Sequence, residues 1–369
     1  MLTSPDPIKN LIFESETKDS LIAFEDTALE NRWAFGRNVY SEALANENLI
    51  FGFIDDFAVQ PDWLGLPVIR TSDINSKYFI VIASGGNTLS IKRKLEGTKA
   101  RQIDYFAFQK WSRHNLPELR FNEGFEEHFR INAEKFENTF SMLQDRKSRE
   151  ILEKLINFRL TQNLDYLNGF MENQANQYFD FISQVNEEIV NFVDIGSYHA
   201  ENTLTFLRNY PNSSRVIIVE PNIENFQVCV SETTDYSNIS YFQAVLGRVA
   251  KTVEFSGTGT TGLVVESGGA KVQMKTLNQI CDELMGTTMI KMDVEGGEEE
   301  ILLGGLDTIK RLRPVLAISG YHRVQDFWRI PEIVFSVVDG YTLYVRHYTE
   351  TIYETVFYFI PNEINLKQL

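Results

Sequence analysis

Val193-Asp194-Ile195-Gly196-Ser197-Tyr198-His199-Ala200-Glu201-Asn202-Thr203 carries an apolar strand through a turn with one glycine and into a helix. Strand, tight turn and helix in that order open a doubly wound α/β sheet, and ligands bind such sheets outside the carboxyl ends of the strands. The turn is poor in glycine for a dinucleotide, whose pyrophosphate needs several backbone amides within reach. Ser197 and Ala200 occupy positions where further glycines would stand, and Asp194 at the mouth would repel phosphate. A carboxylate there attracts the ammonium and sulfonium of S-adenosylmethionine, which carries no phosphate. Glu220 closes the next strand, followed by Pro221 and Asn222, and an acid in that place can accept both ribose hydroxyls. The residues expected to hold this donor are Asp194, Gly196, Ser197, Thr203, Glu220, Pro221, Asn222 and Ala244. Capping turns with Asp and Gly are common, so the argument rests on Asp194 and Glu220 together.

A second charged strand lies further on, in Ile290-Lys291-Met292-Asp293-Val294-Glu295-Gly296-Gly297-Glu298-Glu299-Glu300. With a period of two, Lys291, Asp293 and Glu295 share one face, and three ionisable groups there are costly to bury unless paired or used. Glu298 to Glu300 read as first-turn acids favoured by a helix dipole. The next strand ends in Gly320-Tyr321-His322, which brings an imidazole with an ordinary pKa of about 6.5 to the same crevice. Arg346-His347-Tyr348 ends a later strand. Asp293 or His322 is the expected base, with Lys291 orienting the acceptor or pairing with Asp293. Glu295, Tyr321, Arg346 and His347 are expected to line the acceptor pocket. His322, His347 and Asp293 have no ligand spacing between them, and no metal is expected.

Around these motifs the 369 residues divide into three zones, without repeats or low-complexity tracts. Residues 1–103 hold strand-like runs at Leu49–Ile54 and Tyr78–Ala83, with a helical period between Trp33 and Glu47 behind a glycine, the βαβ order of a small Rossmann-like domain. In residues 104–188 apolar positions recur at three and four, as in Ile151, Leu152, Leu155 and Phe158, the pattern of a helical bridge. Residues 189–369 alternate strands (Ile189–Ile195, Arg215–Glu220, Ile239–Leu246, Met289–Val294, Pro314–Ser319) with helices. Short β-rich pieces at Glu332–Val338, Tyr341–His347 and Thr355–Ile360 then suggest an antiparallel hairpin at the end of the sheet.

With 35 Lys+Arg against 51 Asp+Glu the formal charge is −16, which disfavours nucleic acid and anionic membrane surfaces as partners. Cys229 and Cys281 are the two cysteines, so a disulfide framework is excluded and both read as buried thiols of a reducing compartment. The N-terminus lacks the basic and apolar regions of a signal peptide, and no apolar run approaches the ~18 residues of a membrane span. A cytoplasmic location is expected; oligomeric state is not legible.

The charged strand IKMDVEGGEEEILLGG resembles the Lys-x-Asp-x-Glu-Gly-x-Glu segment of the FkbM family of S-adenosylmethionine-dependent methyltransferases. RPVLAISGYHRVQDFWRIPEIV and GYTLYVRHYTETIYETVFYFIP resemble the end of the same domain, so that the likeness covers roughly residues 189–360. The middle segment LQDRKSREILEKLINFRLTQNLDYL is similar to a helical stretch that precedes the catalytic domain in longer members. Ala34-Phe35-Gly36-Arg37-Asn38 stands where a Rossmann domain would have Gly-x-Gly. Members usually carry Gly where this chain has Ala200, whose methyl would narrow the approach to the methionine moiety. The resemblance implies methyl transfer to a hydroxyl of a sugar, a glycan precursor or a similar metabolite. Two other readings stay open: a non-catalytic module that binds a nucleotide-sugar or a partner on the same fold, and an NAD-dependent oxidoreductase working through the first zone.

Overall fold

The computed structural model describes residues 7–170, 176–181, 185, 189–258 and 261–364. The chain divides into two compact units, one of residues 1–130, 152–172 and 348–353, the other of residues 131–151, 173–347 and 354–369.

In the first unit, α1 (Pro7–Glu25) precedes β1 (Arg32–Phe35), α2 (Val39–Asn46), β2 (Gly52–Ile54), β3 (Asp62–Trp63) and β4 (Leu66–Ile69). β5 (Phe79–Ile82), α3 (Thr88–Glu96), β6 (Arg101–Asp104) and α4 (Tyr105–Trp111) follow. The six strands form one sheet in the order β3-β4-β2-β1-β5-β6, parallel except for β3. The helical period between Trp33 and Glu47 is α2, and Trp33 itself lies in β1, at the centre of the sheet. The helix begins only after Gly36, whose φ of 97° breaks the strand, and Asn38, whose side chain accepts from the amides of Tyr40 and Ser41.

Helices α5 (Phe125–Met142) and α6 (Arg146–Thr161) occupy the middle of the chain, and each runs from one unit into the other, at residues 130/131 and 151/152. A 3₁₀ turn at Leu164–Leu167 follows. The last residues of the expected bridge lie partly outside the described ones, and Gln177 to Phe181 form turns.

The second unit is built on β7 (Asn191–Ile195), α7 (Glu201–Asn209), β8 (Arg215–Val219), α8 (Ile223–Glu232) and β9 (Ile239–Phe242). An insert follows, of β10 (Val245–Leu246), β11 (Lys251–Thr258), β12 (Thr261–Val265) and β13 (Ala270–Lys275). The chain then returns through α9 (Leu277–Ile280), β14 (Thr288–Met292), α10 (Glu298–Leu303), α11 (Leu306–Leu312) and β15 (Val315–Ser319). It ends in α12 (Asp326–Val337), β16 (Tyr341–His347) and β17 (Thr355–Pro361). The seven main strands run β16-β17-β15-β14-β7-β8-β9, and only β17 and its partners pair antiparallel. Every residue of β7, β14 and β15 is buried, so these strands are mainly apolar, and the charges of Asp194 and Lys291 within them meet each other. The direction of winding reverses between β7 and β14, the place where a doubly wound sheet opens a crevice.

Two expectations fail here. Glu332–Val338 is not a strand: the apolar positions Phe327, Trp328, Ile330, Pro331, Ile333 and Val334 form the buried stripe of α12. The β-branched run at its end hid a 3.6-residue period that starts before it. Ile239–Leu246 is not one strand either, because β10 leaves the main sheet to pair with β13 in the separate four-stranded insert.

Candidate active site

A cavity of about 440 Å³ opens at the carboxyl ends of β7, β8 and β14. Gly196, Tyr198, Glu220, Pro221, Asn222 and Ala244 line one part of it, Asp293, Glu295, Gly296 and Arg323 another. Phe255, Leu263, Val264 and Met274 of the insert supply an apolar wall. The donor positions Asp194, Ser197 and Thr203 do not line it, nor do Lys291, Tyr321, His322, Arg346 and His347.

The turn after β7 is held from beneath. Asp194 and Lys291 are neighbours in register on β7 and β14, both buried, with Lys291 Nζ 3.1 Å from Asp194 Oδ1. Thr203 Oγ1 donates to Asp194 Oδ2 at 2.8 Å, and Ser197 Oγ to the Asp194 carbonyl at 2.9 Å. Lys291 Nζ also donates to the Gly196 carbonyl at 2.6 Å. Two expectations are thereby corrected. Lys291 pairs with Asp194 and not Asp293, and Asp194 spends its charge on Lys291 below the cavity, so the carboxylates that line the cavity are Glu220, Asp293, Glu295 and Glu300.

Gly196 has φ of 76°, and a Cβ on it would come within 1.8 Å of the Asp293 carbonyl, so only glycine lets the two loops meet. Tyr198 and Ala200 also have positive φ, at 52° and 62°. The Ala200 methyl does not narrow the cavity as expected: the residue is buried and packs with Ile218 and Cys229.

Glu220 is fixed on both oxygens. Tyr198 N donates to Oε2 at 3.0 Å and Asn222 N to Oε1 at 2.9 Å, while Asn222 caps α8 through the amides of Glu224 and Asn225. Burial raises the Glu220 carboxyl and outweighs the opposing amides. Tyr198 was missed in the sequence because its role is carried by a backbone amide and by left-handed geometry, neither of which depends on side-chain type.

β14 ends at Met292, so the period-two argument stops there. Lys291 lies on the strand, whereas Asp293 and Glu295 belong to the following loop, where Glu295 at φ 56° turns the chain. The Asp293 carboxylate is 25% exposed and is held on both oxygens. Tyr178 Oη donates to Oδ2 at 2.7 Å, with Ser319 Oγ 3.0 Å from the same hydroxyl, and His322 Nε2 lies 3.4 Å from Oδ1.

His322 is not the base its ordinary pKa suggested. Its side chain is fully buried, with Nδ1 2.9 Å from Glu298 Oε1. Burial works against the charged imidazole, but Glu298, Asp293 and Asp326 outweigh it and push the ring up to about 10. The imidazolium therefore holds its proton at neutral pH and acts as a clamp between two carboxylates. Glu298 is accordingly more than a helix-end acid: it is buried, and its Oε1 also accepts from Val294 N at 3.0 Å. Burial, with Glu298 close by, pushes Asp326 up to about 7, and burial together with Asp293 does the same to Glu354. Tyr321, buried against the His322 ring at 4.1 Å, has its hydroxyl raised by burial and these carboxylates.

Arg346 and His347 belong elsewhere. Arg346 Nη2 is 2.6 Å from Asp145 Oδ2 and Nη1 donates to Ser148 Oγ at 2.9 Å, while His347 Nδ1 lies 2.9 Å from Thr355 Oγ1. These two fasten the edge strand β16, not the cavity.

Residues 194–348 match the family described as Methyltransferase FkbM domain. This part of the chain is similar to the FkbM methyltransferase domain. The matched segment contains the cavity and every residue that lines it. The methyltransferase FkbM from Methylobacillus flagellatus KT shares the fold, with TM-score 0.72 at 19% identity over 96% of this chain and 100% of that one. An O-methyltransferase from Bacillus cereus in complex with SAH aligns at 12% identity over 65% of this chain and 99% of that one, with TM-score 0.35. A SAM-dependent methyltransferase from Aquifex aeolicus aligns at 10% identity over 54% and 98%, with TM-score 0.31. No curated protein matched. Among the described residues, no helix is long and apolar enough to cross a membrane.

Proposed function

We propose that the matched domain transfers a methyl group from S-adenosylmethionine to a hydroxyl oxygen of a small acceptor, a sugar, glycan precursor or similar metabolite. The observation that carries this reading is the placing of two fixed carboxylates, Glu220 and Asp293, on one cavity at the switch point of the sheet. The cavity is of the size that small-molecule sites have.

The residues present fit the donor. Glu220 keeps lone pairs on both oxygens for a ribose diol, and the Gly196 turn lines the cavity beside it. Pro221, Asn222 and Ala244 offer a surface beside Glu220 on which a planar base can lie. Bound S-adenosylmethionine supplies an activated methyl group on a cationic sulfur.

The chain's own part is alignment and one proton. Asp293 faces the cavity and takes the hydroxyl proton of the acceptor. Tyr178 and His322 hold its carboxylate in one orientation, so that no rotamer search precedes the step. Lys291 and Asp194 brace the turn that carries Gly196, and their mutual neutralisation keeps a stray charge out of the donor half. The insert's Phe255, Leu263 and Val264 keep water from one side. Alignment of two bound reactants supplies much of the rate, and a base adds about 10²–10⁴-fold.

A transfer assay with labelled S-adenosylmethionine against sugars and their nucleotide derivatives tests the reading. Incorporation into at least one hydroxyl is expected, and incorporation only into nitrogen or carbon would overturn the oxygen assignment.

A further inference from the structure

Beside the cavity, at the ends of β14 and β15, ligand atoms of Asp293, Glu298 and His322 all lie within 4.8 Å of one another. Glu298 is 0% exposed and Asp326 only 2%, so two carboxyl groups are wholly withdrawn from water around one imidazole. Lys291 cannot balance them, because its ammonium is committed to Asp194 at 3.1 Å. Glu298 Oε1 accepts from Val294 N and lies 2.9 Å from His322 Nδ1, but its Oε2 is buried without a hydrogen-bond partner among the described residues. A buried carboxylate oxygen left in that state carries its full desolvation cost. The His322 ring between Glu298 and Asp293 leaves that oxygen unserved, and buried charged groups are found paired or coordinating metal ions, so a cation would complete the cluster.

We propose that Asp293, Glu298 and His322 bind a divalent cation, which displaces the second proton of the His322 ring to solvent. Two carboxylates and one imidazole form an oxygen-rich set without thiolate, which suits a cation of the Mn²⁺ class better than a thiophilic one. Glu298 and His322 are buried, whereas Asp293 opens onto the cavity, so the cation's free positions face the place where the acceptor's hydroxyl arrives. There it acts as a Lewis acid and makes that hydroxyl easier to deprotonate. Binding of the cation stands by itself; its role in activating a hydroxyl rests on the methyl-transfer reading.

The test uses the full chain, stripped with chelator and titrated with Mn²⁺ while free Mn²⁺ is read by electron paramagnetic resonance. Saturation near one Mn²⁺ per chain is expected, weakened at least about tenfold in Glu298→Gln and in Asp293→Asn. Circular dichroism checks that each variant is folded. Asp293→Asn, altered at the cavity surface, keeps the test decisive should Glu298→Gln fail to fold. No binding at millimolar Mn²⁺, or binding that folded Asp293→Asn retains unchanged, overturns the site and assigns any signal to surface carboxylates. Calorimetry with S-adenosylhomocysteine on the same samples separates the two claims. Mn²⁺ binding without nucleoside binding upholds the cation site and removes its proposed partner, and nucleoside binding without Mn²⁺ overturns the cation site alone.

Discussion

Lys291 Nζ stands 3.1 Å from Asp194 Oδ1, both side chains almost wholly buried on adjacent central strands beneath the cavity. Removing one partner leaves an uncompensated charge in the sheet. Lys291→Met is expected to cost about 3–5 kcal/mol, as broken buried pairs do. The double change Asp194→Asn with Lys291→Met should recover a good part of that. Urea unfolding of the three proteins measures it, and equal stability of Lys291→Met and the unaltered chain would refute the pairing.

Asp293→Asn keeps the shape of the side chain and its contact with Tyr178 while removing the group that takes the proton. Turnover should fall by about 10²–10⁴. Donor affinity should stay within a few-fold, because the carboxylate that faces the ribose is Glu220. Steady-state kinetics together with donor titration separate the two quantities, and undiminished turnover removes Asp293 from the mechanism.

The ion pair between Asp145 and Arg346 carries a pH signature. Burial raises the Asp145 carboxyl, but the hydrogen bonds from Arg346 and Ser148 outweigh it, and the net shift is downward. A carboxylate depressed in the folded state stabilises above its unfolded pKa of about 3.9, and this contribution is lost as pH falls through the folded value. The melting temperature of the unaltered chain should therefore exceed that of Asp145→Asn at pH 6, with the gap closing below about pH 4. A gap independent of pH would contradict the assignment.

Cys229 and Cys281 are both buried, and burial pushes each thiol up to about 12. The thiolate is the reactive form, so neither should be alkylated by iodoacetamide in the native protein at pH 8, and both should be once it is denatured. Intact-mass spectrometry reads the count, and rapid native alkylation would contradict the burial.

The parallel strands were legible because both faces are covered: Val193, Ile217 and Ile290 stand in mainly apolar runs, broken in β7 and β14 by the paired Asp194 and Lys291. The hairpin strands Tyr341–His347 and Thr355–Pro361 were legible by their aromatic and β-branched residues. α12 was misread at its end because Ile333-Val334-Phe335 looks the same in a buried strand and a buried helix over so short a span. The insert of β11 to β13 was not read, since alternating polar residues such as Lys251, Thr252, Glu254 and Gln273 are shared by edge strands and loops.

In the site, Asp293 and Glu220 were visible because each is an acid at a strand end. The charge state of His322 was not. It depends on Glu298 and Asp326, which reach it from two different helices, and sequence spacing carries no information about that meeting. Arg346 and His347 were placed in the cavity because they end a strand of the same sheet, but that strand is the edge, farthest from the switch point.

Isothermal titration calorimetry with S-adenosylmethionine on the unaltered chain, Glu220→Gln and Asp293→Asn tests the central claim most directly. The account predicts one site per chain, weakened by at least about tenfold in Glu220→Gln through loss of charge-assisted hydrogen bonds, and changed only a few-fold in Asp293→Asn. Absence of binding to the folded, unaltered chain at millimolar ligand would contradict it.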